Sequence, residues 1–460
     1  MTTPEIETPD LPERPWENLQ QLIAAGDATE LFNFIDQMSP TETARAISRL
    51  NIENQGQLFQ LLAPADAAEI IEDFSDAQAA DLMDDLPPAQ AAAILDELDS
   101  DHQADLLSEM DEEDAEAILK LMDPVEAQEA RQFMAYPADT AGGLMVSEYL
   151  SYPAEITVAD VLKDLQDNRE EYADYHVQYF YVTDHEQHLI GVLRMHDLLF
   201  PRRSTTLEKL MISNPLKIAV ESRLDELRDF FEDHELFGAP VVDSAGRMVG
   251  VVLPEAVEEA RRERTVKQFL GLSGIIGGEE FRTMPLFNRS GRRLAWLSLN
   301  IVLNIVAASV IALYQDTLAA AITLAIFLPM VSDMSGCSGN QAVAVSMREL
   351  SLGLVRPNEL LRVLRKEATL GIINGLALGL LLGGVAYLWQ GNAYLGLVVG
   401  GALAANTVVA VSLGGLLPLL LKKLKMDPAL VSSPLLTTVT DMCGFFFVLS
   451  FASAILPKLA

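Results

Sequence analysis

Five apolar stretches, each long enough to cross a bilayer, crowd into the last third of the chain and restrict its fold more than any other feature. They run approximately Leu294–Tyr314, Leu318–Ser346, Leu370–Leu388, Leu395–Leu421 and Leu435–Leu456. A hydrocarbon core about 30 Å thick takes roughly 20 apolar residues of α-helix, which satisfies its own backbone polar groups without water. Five such segments in succession argue against the buried core of a soluble domain. The loops carry a charge pattern. Arg282, Arg289, Arg292 and Arg293 precede the first segment. Arg348, Arg356, Arg362, Arg365 and Lys366 follow the second, and Lys422, Lys423 and Lys425 follow the fourth. The loops around Gln315–Thr317 and Gln390–Tyr394 hold no Lys or Arg. By the positive-inside rule the basic loops are cytoplasmic, so the expected topology in the inner (plasma) membrane has the N-terminus inside and the C-terminus outside. The polar tail over residues 1–15 has no basic region followed by an apolar run, so it does not read as a signal peptide.

Two carboxylates, Asp333 and Asp441, fall within apolar segments, where ionisable groups are costly and usually functional. No segment carries a basic residue in its interior to neutralise them. A protonated, hydrogen-bonded acid is one account; a mobile cation passing Asp441 explains it better. Thr437 and Thr438 stand one helical turn before that acid. Hydroxyls and carboxylates are hard oxygen ligands suited to Mg²⁺, which is often held through its waters. The second segment holds the polar run Ser332-Asp-Met-Ser-Gly-Cys-Ser-Gly339-Asn340-Gln341. Its glycines would weaken a helix where the backbone meets protein or a water-filled cavity. Close packing through small residues is the competing account. A five-segment bundle offers few walls for a pore, which points to a symmetric homodimer. The cysteines, Cys337 and Cys443, read as small packing residues rather than a disulfide.

The remaining two thirds are acidic. Over the whole chain Asp and Glu number 66 against 32 Lys and Arg, and the formal net charge of −34 lies almost wholly ahead of the apolar part. Such a surface repels nucleic acid, which is excluded as a partner, and attracts cations. Between Asn51 and Ala130 a repeat of about twelve residues is visible: Leu62, Phe74, Leu86, Leu98, Met110 and Met122 recur in register, as do Ile71, Met83, Leu95, Leu107 and Leu119. Each unit reads as a cap or turn followed by a short amphipathic helix too small to stand alone, so the units stack into an all-α superhelix. Lys120 is the only Lys or Arg in this stretch, among about two dozen acids. That bias is as consistent with divalent-cation binding as with a solvated face.

From about Ala138 to Arg264 strands and helices alternate, and the order repeats. Residues 177–184, 189–193 and a helix from Met195 return as 238–243, 248–252 and a helix from Glu255. The duplication resembles a tandem pair of CBS domains, α/β modules that commonly sense nucleotides or ions. Where many such domains hold adenosine with Ser or Thr and an Asp three residues on, this chain has Arg194 and Asp197, then Leu253 and Ala256. That departure speaks against a nucleotide cofactor, most strongly in the second copy.

With these parts in order the chain resembles the MgtE family of magnesium channels over nearly its whole length. The resemblance is carried by Tyr136-Pro-Ala-Asp-Thr-Ala-Gly-Gly-Leu-Met145, by Gly339-Asn-Gln341, by Asp427-Pro-Ala-Leu430 and by Thr437-Thr-Val-Thr-Asp441-Met-Cys-Gly444. It implies a multidomain arrangement: a disordered tail over 1–15, an acidic superhelical N domain over 16–135, CBS copies over 136–203 and 204–264, a connecting helix and linker over 265–291, and an all-α five-helix transmembrane domain over 292–460. It further implies a homodimer in the lipid bilayer that passes Mg²⁺ inward by Asp441, with Thr437, Thr438, Gly339, Asn340 and Asp333 along the pathway. Cytoplasmic Mg²⁺ would close the pore by bridging acids: Asp225, Glu235 and Glu259 on the CBS pair, Asp427 on the membrane side, and Asp101 and Asp105 in the N domain. The helix near Val266–Leu272 would plug the pore. Two departures stand out: Cys337 replaces an amide of the family's usual run, and Asp333 stands where a small residue is usual.

A transporter of another divalent ion such as Co²⁺, or one coupled to Na⁺ or H⁺, is a rival from the same class. A non-conducting membrane sensor anchored by its helices is a rival from another, but gives Asp441 no task. An enzyme is not expected: no nucleophile–base pair, phosphate-binding Gly loop or His cluster is present, and all six histidines precede the apolar part.

Overall fold

Short helices with strong start signals dominate the first 135 residues of the computed structural model, which describes residues 14–169, 172, 175, 178–272, 274–275, 286–424, 426 and 428–459. The chain divides into two compact units, one up to Arg264 and one from Thr265 onward.

The first unit opens with ten helices: α1 (Pro15–Ala25), α2 (Ala28–Ile35), α3 (Pro40–Ile47), α4 (Ile52–Leu61), α5 (Pro64–Glu72), α6 (Asp76–Asp84), α7 (Pro88–Leu95), α8 (Ser100–Glu109), α9 (Glu112–Leu119) and α10 (Pro124–Phe133). Proline at the first turn starts α1, α3, α5, α7 and α10, where its missing N–H costs no hydrogen bond. Asp27, Ser39 and Asn51 cap α2, α3 and α4 through their side chains. None of these helices is long enough to be stable by itself in water. They stack in two rows: α5 on α7 on α9, and α6 on α8 on α10. Both registers of the twelve-residue repeat are buried in one core, from Met83 and Leu95 at 0% exposure to Phe74 at 8%.

Two mixed sheets follow. One runs β2 (Leu150–Pro153), β3 (Tyr179–Thr183), β4 (Leu189–Arg194) and β5 (Ile212–Ser213); the other runs β1 (Met145–Val146), β8 (Met248–Val252), β7 (Ala239–Val242) and β6 (Ile218–Ala219). Each sheet joins a parallel pair, β2 with β3 or β6 with β7, to an antiparallel hairpin. The copies exchange edge strands: β1, at the start of the first copy, pairs with β8, while β5, at the start of the second, pairs with β4. Helices α11 (Val158–Asp167) and α12 (Leu224–Asp233) pack on the sheets. In the second copy Pro254 opens the 19-residue α13 (Pro254–Leu272). In the first copy the helix expected from Met195 is a single 3₁₀ turn, Met195–Leu198. Pro201 disfavours helical geometry in the residue before it, and the Asp197 carboxylate folds back on the Arg194 N–H.

The second unit is helical: α14 (Leu286–Leu313), α15 (Gln315–Ala320), α16 (Leu324–Ser351), α17 (Leu360–Gln390), α18 (Ala393–Lys423) and α19 (Pro428–Ala454). Among the described residues α14, α17, α18 and α19 are long and apolar enough to cross a membrane. At 28 residues α16 matches them in length, but its polar run from Ser332 to Gln341 lowers its mean hydropathy. The expected segment from Leu318 to Ser346 is split, because the helix ends at Ala320 and restarts at Leu324. Tyr314 ties this reversal to α19, bonding Ser450 at 2.9 Å and meeting the Phe446 ring edge-on. Gly371, Gly375, Gly379 and Gly383 on α17 face Val408, Ala404, Gly400 and Gly396 on α18. A Cβ on Gly379 would stand 2.4 Å from the Gly400 carbonyl oxygen, so the two backbones lie in contact along this stripe.

Candidate ion pathway and acidic cluster

Asp441 sits mid-helix on α19, half-buried, and accepts a hydrogen bond from the Ser332 hydroxyl of the neighbouring α16. The residue after Ser332 on that helix, Asp333, is exposed on the surface of the chain, as are Cys337, Asn340 and Gln341 further along α16 and Thr437 on α19. Thr438 is half-buried. The hydroxyls of Thr437, Thr438 and Thr440 donate to the carbonyls of Ser433, Pro434 and Thr437 at 3.0, 2.8 and 2.9 Å. Their protons are thereby committed to the helix, and the oxygens keep lone pairs that can accept from a hydrated cation. Ser433 bonds the Asn340 side chain at 3.4 Å, joining α19 to the Gly339-Asn-Gln341 motif.

The glycines of α16 do not interrupt it: the helix is continuous from Leu324 to Ser351. A Cβ on Gly339 would approach Leu436 of α19 at 2.9 Å and the Ala410 carbonyl of α18 at 3.0 Å. Close packing is thus what Gly339 provides, and the backbone there meets protein, whereas a Cβ on Gly336 would make only an ordinary contact, 3.8 Å from the Thr440 hydroxyl.

Sequence reasoning does not single out Ser332 beyond its place in the polar run, and it misses Asn406. Asn406 is the one carboxamide in the apolar stretch 395–421 and is fully buried on α18, bonded to Ser335 of α16 and to the Thr440 carbonyl of α19. An amide alone in such a stretch is the available signal.

In the first unit Asp101 and Asp105 lie one turn apart on α8, beside like charges. Burial, then the charges of Asp76, Asp101 and Glu263, pushes the Asp105 carboxyl up to about 8, with His102 opposing. Burial likewise raises Asp101. Glu148, from the loop after β1, caps α8: it accepts from the Ser100 N–H at 3.2 Å and the Ser100 hydroxyl at 2.9 Å. Burial takes its carboxyl to about 7. Carboxylates gathered in a half-buried place suit a divalent cation. Among the described residues, however, no three His, Cys, Asp or Glu side chains converge as a cage would require.

The CBS acids are arranged differently. Asp225 is held by Arg264 at 3.2 Å and lies 3.8 Å from Arg228. Glu235 and Glu259 are exposed. Asp427 lies outside the described residues, and the segment 266–272 forms the C-terminal end of α13. Asp197, which matches the adenosine pattern, is engaged by the Arg194 guanidinium at 3.1 and 3.3 Å. The groove lined by Tyr149, Tyr179 and Phe237 also presents Asp99 and Glu148, acids that disfavour phosphate.

Three family models match the chain in this order. The MgtE intracellular N domain covers residues 38–139, the CBS domain covers 141–201 and 207–261, and MgtE, described as a divalent cation transporter, covers 328–451. The magnesium transporter MgtE of Bacillus subtilis is 29% identical over 334 residues, 73% of this chain and 73% of its own length. That of Thermus thermophilus is 30% identical over 336 residues, 71% of this chain and 72% of its own. A crystal structure of the cytosolic domain of the Mg²⁺ channel MgtE in complex with ATP is 29% identical, covering 53% of this chain and 99% of that one with a TM-score of 0.48. The matched transport domain, with Asp441 in it, defines the class as a divalent cation transporter rather than an enzyme. The chain belongs to the MgtE family.

Proposed function

We propose that this protein carries Mg²⁺ into the cell and that cytoplasmic Mg²⁺ closes the pathway by binding to its acidic N domain and CBS surfaces. The observation that carries the transport reading is Asp441, a half-buried carboxylate in mid-helix whose described partner is a neutral hydroxyl, Ser332. An intramembrane acid so placed needs a counter-charge, and a passing cation supplies it. The relatives named magnesium transporters support Mg²⁺ as that cation. The exposed Asp333, Cys337, Asn340 and Thr437 support a homodimer: polar side chains avoid lipid, and a second copy across a two-fold axis would enclose them around water. Thr437, Thr438, Gly339 and Asn340 line the pathway on this reading, with Asp333 as a second carboxylate.

Gating follows from charge. Without Mg²⁺, burial and the charges of Asp76, Asp101 and Glu263 disfavour a further charge on Asp105. A bound ion, held largely through its waters, takes the place of the Asp105 proton and offsets the crowded negative charge. Moving a pore from mostly open to mostly closed takes about 5 kcal/mol of preference, which several ions at roughly 1 kcal/mol each supply. The N-terminus then faces the cytoplasm, where the ion is sensed, and the C-terminus lies outside. Growth of a Mg²⁺-auxotrophic strain tests the transport reading: wild type is expected to restore growth and D441A not to. Equal rescue by both removes Asp441 from the pathway, and no rescue by wild type returns the sensor reading.

A further inference from the structure

Asn406 is a fully buried carboxamide at the point where three helices of the second unit meet. Its Nδ2 donates to the Ser335 hydroxyl oxygen of α16 and, at 2.9 Å, to the Thr440 carbonyl of α19. The amide's orientation follows from these partners. A carbonyl can only accept, and the Ser335 proton is already directed at the Val331 and Ser332 carbonyls at 2.6 and 2.9 Å. The bonds therefore run in one direction, from Asn406 through Ser335 to the Ser332 backbone, while the Ser332 hydroxyl donates to Asp441. The same amide holds the peptide between Thr440 and Asp441, so both partners of the Ser332–Asp441 bond are tied to one residue on a third helix.

Gly444 makes this possible. A Cβ there would stand 2.8 Å from Asn406 Nδ2 and 3.6 Å from the Ser332 Cα. A side chain at 444 would crowd the amide off the Thr440 carbonyl, while its contact with the Ser332 backbone would be an ordinary one. Among the described residues Asn406 Oδ1 has no hydrogen-bond partner, a cost a buried amide bears only where its other contacts matter.

We infer that Asn406 is a positioning residue for cation passage: it fixes the Ser332 turn and the Asp441 peptide relative to each other and so sets where Asp441 presents its second oxygen. This rests on reading Asp441 as the pathway carboxylate. The test uses full-length protein in liposomes with an entrapped Mg²⁺ indicator, over a range of Mg²⁺ and with Ca²⁺ as competitor. N406A and G444A, which break one bond from opposite sides, are each expected to raise half-saturating Mg²⁺ several-fold and to weaken the preference over Ca²⁺. The double variant should be no worse than the worse single one. S335A, which removes one acceptor without adding volume, should shift both readings in the same direction if the larger changes prevent folding. Unchanged half-saturation and selectivity in these variants, with D441N inactive, overturns the positioning role and leaves the Asp441 reading standing. An active D441N overturns both.

Discussion

The Arg264 guanidinium lies 3.2 Å from the Asp225 carboxylate and joins α13 to α12. A cation tethered to the chain occupies the place where a divalent ion would otherwise offset the charge of Asp225. The pair is half exposed, so its own worth is about 0.2–1 kcal/mol. D225N is therefore expected to move the Mg²⁺ midpoint for protease protection of α13 by less than about twofold, while D105N, in the acid cluster, moves it by much more. An equal shift in both variants would place Asp225 among the ion's ligands.

The acid cluster makes the stability of the first unit pH-dependent, and the sign is fixed. The folded Asp105 carboxyl titrates at about 8 against an ordinary 3.8, so the folded chain keeps a proton that the unfolded chain releases. Its contribution is full below 3.8 and gone above about 8. Glu148, raised from 4.5 to about 7, acts in the same direction over a narrower window. In a divalent-free buffer the unfolding temperature of this unit should fall as pH rises from about 5 to 8, and Mg²⁺ should restore most of the loss at pH 8. D105N should flatten the profile. A profile that rises with pH, or one that D105N leaves unchanged, contradicts the assignment.

Asp441 and Asp333 should separate in transport. D441N removes the half-buried carboxylate that Ser332 orients and is expected to abolish Mg²⁺ uptake. Asp333 is exposed on the single chain, so on the proposed pathway it faces water and acts on the ion only through a screened field. Losing one such charge in a wet passage costs a cation on the order of 1 kcal/mol, about fivefold in affinity. D333N should thus keep uptake but raise half-saturating Mg²⁺ about fivefold, with a smaller difference at high salt. Liposome flux at two ionic strengths measures both effects.

The periodic parts of this protein are legible from sequence. Every twelfth residue from Leu62 to Met122 enters one core because each short helix buries the same positions. The duplicated strands of the CBS pair are visible for the same reason. What pattern does not carry is partnership between distant residues. Ser332 meets Asp441 across 109 residues, and Arg264 meets Asp225 across 39. A charge run shows that an acid exists, not that an arginine already holds it. The exchange of β1 and β5 between sheets is likewise a non-local choice. Helical glycines are ambiguous because weakening a helix and packing it closely call for the same residue, and the continuous α16 decides for packing.

The glycine stripe of α17 offers a stability test with its own control. Gly379 meets the Gly400 carbonyl, where a Cβ would come within 2.4 Å, and backbone cannot yield as a flexible side chain would. Gly384, on the same helix and exposed, has nothing within 4 Å of its Cβ position. G379L should therefore destabilise the second unit by about 1–3 kcal/mol, seen as a lower unfolding temperature in detergent. G384L, which removes unfolded-state freedom without a clash, should be neutral or stabilising by up to about 1 kcal/mol. If apolarity alone held these helices together, both leucines would act alike. A loss confined to Gly379 would show that α17 is held to α18, the helix that carries Asn406, by backbone contact.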